Sequence, residues 1–213
     1  MGSEKVRWDM MKATGYYMTE SSGHLSEYLP YYRKRKDLLE KYKGSETGFD
    51  SLKHAWTVQQ FTERTDDREE RVTKEPPRIP FIEIPTSEYG SHIINAMETN
   101  VPFRFNGNVM NKKGGLITNL PAECCVEVPV FADFHGLHPQ GGIELPTACQ
   151  ALCLSNIMVQ KAAVEGVMSK DPEKLYHALL LDPNTASVCS PEEIREMTDD
   201  MLKANEKWFG YLY

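Results

Sequence analysis

The stretch from Gly15 to Tyr28, "GYYMTESSGHLSEY", crowds chemically capable side chains into one short segment: Thr19, Ser21, Ser22 and Ser26, Glu20 and Glu27, His24, and Tyr16, Tyr17 and Tyr28. His24 is suited to acid, base or ligand duty. Tyr28 becomes a proton acceptor where a nearby cation lowers its pKa from roughly 10. The same residues also suit a plainer job, in which the serines cap a helix and the tyrosines pack. On residue types alone the two readings stand level.

Other polar sets are weaker. His135 and His138 with Cys124 and Cys125 have the right ligand types for zinc, but structural zinc sites usually come as two close pairs of ligands, and adjacent cysteines in a strand point to opposite sides. Buried thiols and a loop histidine are expected instead. Cys149 and Cys153 are four apart on an apolar helical run and read as packing residues. "FNGNVMNKKGGLITNLP" offers Gly-Asn loops open to either ligand contact or turn chemistry, without the spacing of a phosphate-binding loop. In "VEVP", Glu127 is solvated if Val126 and Val128 point inward, and needs a partner if both faces of the strand are covered.

The elements that would position these groups follow from periodicity. Val6, Met10, Ala13 and Tyr17 have helical spacing over residues 6–18, with the helix expected to end near Gly15 to Thr19. A second helical run covers Ser26 to Tyr42, with Ser26 as cap, Pro30 near the first turn, and Leu29, Tyr32, Leu38 and Leu39 inward. The polar stretch therefore sits at a helix-loop-helix junction. Residues 51–74 read as an exposed helix ending in a proline-rich linker, and "SEYGSHIINAMETN" as a short helix with Ile93, Ile94 and Met97 on one side. From Val101 to Val130 the short β-rich runs punctuated by Gly, Asn and Pro predict a small antiparallel sheet. "FHGLHPQGGIELP" reads as a loop and "TACQALCLSNIMVQKAAVEGVMSKD" as a helix buried on nearly all sides. Asp171-Pro172 and Ser190-Pro191-Glu192-Glu193 open two more helices by capping chemistry, the second with a capping box and an inner stripe of Ile194, Met197, Met201 and Trp208. The fold class expected is α+β, helices around a small antiparallel sheet.

Composition narrows the function. The 213 residues carry a net charge of -7, which opposes nonspecific nucleic-acid binding, because that depends on a basic face. The one basic run, Arg33-Lys34-Arg35-Lys36, reads as a solvated helix face. Five cysteines in no disulfide-scaffold spacing suit reduced thiols. With no signal-peptide pattern and no apolar run near the ~18 residues a membrane helix needs, a cytoplasmic protein without membrane contact is expected. "MGSEKVRWDMM" enters a helical pattern at once, as a piece of something longer would.

Four blocks in order, "GYYMTESSGHLSEYLPYYRKR", "NGNVMNKKGGLITNLPAECCVEVPVFAD", "GLHPQGGIELP" and "LYHALLLDPNTASVCSPEEIREMTDDML", closely resemble the carboxy-terminal half of glycoside hydrolase family 4 enzymes. The likeness is to the α-galactosidase, α-glucosidase and α-galacturonidase branch and runs from about Val6 to Trp208. It implies a carboxy-terminal domain over residues 1–213 resembling that of lactate and malate dehydrogenases, with the Rossmann NAD-binding half absent. It also implies a reaction outside the usual two-carboxylate scheme. In the reaction that the resemblance implies instead, NAD+ takes hydride from carbon 3 of the sugar, a divalent metal such as Mn2+ polarises the carbonyl, and a tyrosine removes the acidified hydrogen on carbon 2. The glycosidic oxygen is then eliminated, water adds, and the hydride returns.

By the resemblance Tyr28, in "SEYLPYY", matches the position of the base, with Glu27 as an extra residue beside it. His24 falls near a substrate-contacting position with Ser22 next to it, and Asn108 and Asn119 lie in a block close to the cleft. The family's glycine-rich segment and its metal-holding cysteine and histidine lie upstream of Met1; no GxGxxG occurs here, and Cys124 and Cys125 do not match the metal motif. The implied partners are an α-glycoside, a separate amino-terminal half and further copies of the chain. The implied activity is that of an enzyme part that works only beside that half, the alternative being a non-catalytic sugar-binding or oligomerisation module.

Overall fold

The computed structural model describes residues 4–42, 88–112 and 115–210, and the helix and linker expected over residues 51–80 lie outside them. The fold is α+β. The chain divides into two compact units, Met1–Lys74 with Ala151–Tyr213, and Glu75–Gln150.

In the first unit, α1 (Lys5–Thr14) buries Val6 and Met10 and stops at the near edge of the stretch 15–19 where its end is expected. The stop is at Gly15, whose φ of 81° lets its N–H close back on Met11 O at 2.8 Å. Only glycine adopts that backbone at little cost. The chain beyond it turns Tyr16 and Tyr17 outward, so Tyr17 is not part of an inner stripe. The second helical run is two pieces. α2 (Ser22–Tyr28) starts four residues before the expected Ser26 cap, and Ser26 is a buried interior residue. Leu29 is extended because the residue before a proline is pushed out of the α region, and α3 (Lys36–Tyr42) resumes only after the turn. Val6, Met10, Leu25, Leu29, Tyr32 and Tyr42 form one apolar core, with Met18, Leu38, Leu39 and Leu152 packed against it.

The second unit opens with α4 (Gly90–Thr99), whose buried residue is Ala96, while Ile94 and Met97 face outward. Aromatic contacts explain this rotation: His92 stacks on Phe103 at 5.1 Å and Tyr89 lies 5.4 Å from Phe105, so the aromatic edge of the helix covers the sheet. The sheet is antiparallel in the order β1 (Phe103–Met110), β2 (Cys125–Asp133), β3 (Gly136–Pro139). Asn108 pairs with Glu127 and Asp133 with Gly136. Val126, Val128, Val130 and Ala132 are buried and Glu127 is exposed, the first of the two alternatives for "VEVP". Gly107 has to lack a Cβ, since one would meet Phe105 at 2.8 Å. β3 falls where a loop is expected; "GLHP" has no apolar alternation, and pairing to β2 supplies what its own pattern lacks. Residues 115–121, by contrast, form turns, with one isolated bridge from Ile117 to Ile143.

The long helix α5 (Thr147–Ser169) begins in the second unit and continues into the first. It is not buried on all sides: Gly166 is its one buried residue among those described, and Val164 and Met168 are exposed. After it α6 (Pro172–Leu181) is capped by Asp171, whose carboxylate accepts from Glu173 N–H, as its sequence predicts. A single turn, α7 (Pro183–Ala186), precedes α8 (Pro191–Ala204), which has the full capping box of Ser190 and Glu193. Its inner stripe is Ile194, Thr198 and Leu202; Met201 is half-exposed, and Trp208 is exposed on a separate turn, α9 (Glu206–Phe209). The stripe shifts because Thr198 closes its hydroxyl on Ile194 O at 2.6 Å and so enters the interior without an unmet donor. Arg195 reaches across to α6, forking onto Glu173 with both bonds at 2.7 Å and lying 3.5 Å over the Tyr176 ring.

Candidate functional site

α2 is seven residues long, and its Ser21 cap makes no side-chain bond, so little of its order is its own. Three groups from outside hold it. Ser22, only 2% exposed, donates to Glu4 at 3.1 Å and accepts from Arg7 N–H at 3.3 Å, tying the first turn to the start of α1. Asn156 of α5 donates to Tyr28 O at 3.2 Å at the other end. Arg33 lies alongside and donates to Ser26 Oγ at 3.0 Å, to Gly23 O at 3.5 Å and to Glu27 at 3.1 Å. With its side chain 12% exposed, Arg33 belongs to the interior and not to a solvated helix face. Burial pulls its pKa down, with Glu27 opposing. Its neighbour Arg35 does stay in solvent, forked onto Asp37 at 3.0 Å.

The loop ahead of α2 is fixed by Arg7. Its guanidinium donates to Met18 O at 2.9 Å, Thr19 O at 3.0 Å and Glu4 at 3.1 Å, and lies 4.5 Å over the Tyr17 ring. Glu20, in that loop, accepts from Ser21 N–H at 2.7 Å and meets His24 Nδ1 at 3.2 Å. The Ser21 N–H first, and His24 after it, hold the Glu20 carboxyl below the usual range.

Against this frame His24 and Tyr28, four residues apart, stand one turn from each other on one side of α2. Both are exposed, Tyr28 by 45%. Among the described residues the Tyr28 hydroxyl has no hydrogen-bond partner. The arrangement is a rigid backing with two open proton-handling groups.

The amides of the second unit divide differently. Asn108 is exposed on the outer face of β1, opposite Glu127. Asn119 spends its side chain on the chain itself, donating to Leu145 O at 2.8 Å and accepting from Leu145 N–H at 3.0 Å. Asn111, which the sequence does not single out, is 1% exposed and bonds Ile117 N–H and the carbonyls of Ile117, Leu120 and Pro121. His138 bonds Asp133 at 2.9 Å, and the buried Cys124 thiol turns to Pro121 O at 3.0 Å, where burial raises its pKa. No group of three or more His, Cys, Asp or Glu among the described residues is placed to hold a metal ion. No helix among them is long and apolar enough to cross a membrane.

Residue types singled out His24 and Tyr28, and the resemblance added Ser22, Asn108 and Asn119; neither pointed to Arg33, Arg7 or Asn156 as the groups that hold α2 and its loop. The two arginines look like any surface cation in a string of letters. Asn156 is a lone amide on an apolar helix, which is the one signal that would have marked it.

One unit holds a braced, polar α2 and the other a three-stranded sheet, and the chain falls in a class: residues 1–185 match the family 4 glycosyl hydrolase C-terminal domain, and the chain belongs to that family. Within it, the chain is 38% identical to an α-galactosidase of Rhizobium meliloti over 96% of its own length and 42% of that protein's. It is 37% identical to an α-galactosidase of Bacillus subtilis, covering 96% of this chain and 46% of that one. The chain thus spans less than half the length of these relatives. In fold it is similar to a 6-phospho-α-glucosidase from gut microorganisms solved with NAD and Mn2+, at a TM-score of 0.62 and 17% identity, covering 97% of this chain and 44% of that one.

Proposed function

We propose that the chain, residues 1–213, is the carboxy-terminal part of an NAD- and manganese-dependent α-glycosidase of the oxidation, elimination, addition and reduction type. In this reading α2 is the sugar-facing wall, and the chain turns nothing over until joined to an amino-terminal, nucleotide-binding part. The observation that carries it is the pairing of exposed His24 and Tyr28 on a braced helix, in a chain of this family.

Tyr28 takes the proton from carbon 2 of the sugar, and His24 hydrogen-bonds a sugar hydroxyl. Ser22 serves the wall by holding the first turn of α2, since its hydroxyl is engaged with Glu4 and Arg7. In the second unit Asn108 keeps the role of a sugar contact, its amide being exposed, and Asn119 holds the turn at Leu145. The described residues do not fit a metal site, so no step through a metal is assigned to them. Cytoplasmic location and assembly into oligomers belong to the same proposal.

The sugar is an α-galactoside. The most similar relatives reported above are α-galactosidases. A uronate would call for a cation at the wall, and the arginines nearest α2, Arg7 and Arg33, are committed to Glu4 and Glu27 and to backbone carbonyls.

The test is to mix the chain with the amino-terminal part of a family relative and assay nitrophenyl α-galactoside, α-glucoside and α-galacturonide. Turnover of the galactoside that needs both parts, NAD+ and Mn2+ is expected. Absence of all turnover, with both parts folded and associated, would overturn the reading; if sugar binding then persisted, the chain would be a non-catalytic sugar-binding module.

A further inference from the structure

Beyond His24 the wall continues onto a surface that the proposed chemistry does not use. Trp8 and Tyr17 meet edge to face, with ring centroids 6.2 Å apart, and remain 45% and 48% exposed. Two large aromatic rings left half in water cost free energy unless something covers them. They are not loose. Tyr17 is clamped from behind by the Arg7 guanidinium, and the carbonyls of Met18 and Thr19, the next two residues, are bonded to the same group. Glu20 follows, anchored through Oε1 by Ser21 N–H and by His24. Glu20 in turn touches His24, one turn from Tyr28, so the rings, the carboxylate and the open face of α2 form one connected strip.

A preorganised pair of exposed aromatic rings, set edge to face, beside a fixed carboxylate has the chemistry that recognises a pyranose. The axial C–H face of the sugar ring lies on the aromatic surface and displaces water from it, while the carboxylate accepts from ring hydroxyls. We infer that Trp8, Tyr17 and Glu20 form a subsite for a second sugar ring, the one joined to the galactose that meets Tyr28. This rests on the proposed sugar-facing role of α2.

The test uses the isolated chain and two probes: methyl α-galactoside, with one ring, and galactosyl-α-1,6-glucose, with two. Binding is followed by calorimetry or by ligand-detected NMR, for the unaltered chain and for Trp8→Ala, Tyr17→Ala and Glu20→Gln, each checked for fold by circular dichroism. The two-ring sugar should bind tighter than the one-ring sugar, and Trp8→Ala should remove roughly tenfold of its affinity while leaving that of methyl α-galactoside unchanged. Should both sugars bind equally well, or the advantage of the second ring survive all three substitutions, the subsite is wrong and the sugar-facing wall stands. Should neither sugar bind to the folded chain at millimolar concentration, the wall itself is wrong and the subsite falls with it.

Discussion

The polar segment 15–28 and the turns formed by Asn111 and residues 115–121 both hold polar side chains, yet the fold uses them in opposite ways. In the first, the buried Ser22 and Ser26, with Arg33 from beyond the segment, brace a helix, and His24 and Tyr28 face outward. In the second, Asn111 and Asn119 are themselves the braces, each amide bonded at both its N–H and its C=O to backbone. The difference lies in what else can satisfy the backbone. α2 has its own helical bonds, so its side chains are released. The turns after β1 have few regular bonds, and side chains must supply them.

The comparison predicts which substitutions destabilise and which do not. Asn111→Ala should be the most costly, by about 3 kcal/mol, because it strands one buried N–H and leaves three carbonyls short of a partner. Urea denaturation checks it; a loss below about 1 kcal/mol would mean that water replaces the amide. Arg33→Met should cost about 2 kcal/mol, from the lost bonds to Ser26 and Glu27. It should also speed amide exchange across residues 22–28, an effect that Asn111→Ala should not have. Asn119→Ala should cost about 1 kcal/mol and loosen the turn at Leu145. Tyr28→Phe, at the other extreme, should change stability by less than about 0.5 kcal/mol, since its hydroxyl braces nothing. Were its cost comparable to that of Asn119→Ala, the division into braces and open groups would be wrong.

One brace in the first unit also has a pH signature. Tyr32 and Tyr42 both donate to Asp9, at 3.2 and 2.8 Å, and their rings lie 4.8 Å apart. Burial first, and the Asp9 charge second, push the Tyr32 pKa above its ordinary value. The folded state therefore keeps a proton that the unfolded state gives up. That contribution is complete below about pH 10 and is lost as pH rises further. Thermal unfolding followed from pH 9 to 11 should show the midpoint falling, and Tyr32→Phe should flatten part of the fall.

What could be read from the letters was whatever depends on nearest neighbours. Asp171-Pro172 and Ser190-Pro191-Glu193 announce helix starts because capping chemistry is local, and Val126-Glu127-Val128 shows its two faces because a strand alternates regardless of its partner. Where two local options were equal, the sequence did not choose. Ser21 and Ser26 are equally good capping residues, and the tie from Ser22, next to the first of them, to Glu4 and Arg7 holds the helix start at the earlier one. β3 needed β2 to exist as a strand. Arg33 needed the fold to distinguish it from Lys34 and Arg35, since a buried guanidinium and a solvated one are the same letter. The candidate site was legible as a segment, and its internal division into support and working groups was not.

The central claim is that Tyr28 is the open, proton-accepting group of the wall, and it is tested most directly by isotope. With the chain joined to an amino-terminal part of a family relative in D2O, NAD+ and Mn2+ present, hydrolysis of nitrophenyl α-galactoside should place deuterium at carbon 2 of the released galactose. Tyr28→Phe should abolish both turnover and deuterium incorporation while leaving the affinity for methyl α-galactoside unchanged. Deuterium incorporation by Tyr28→Phe at the rate of the unaltered chain would contradict the account.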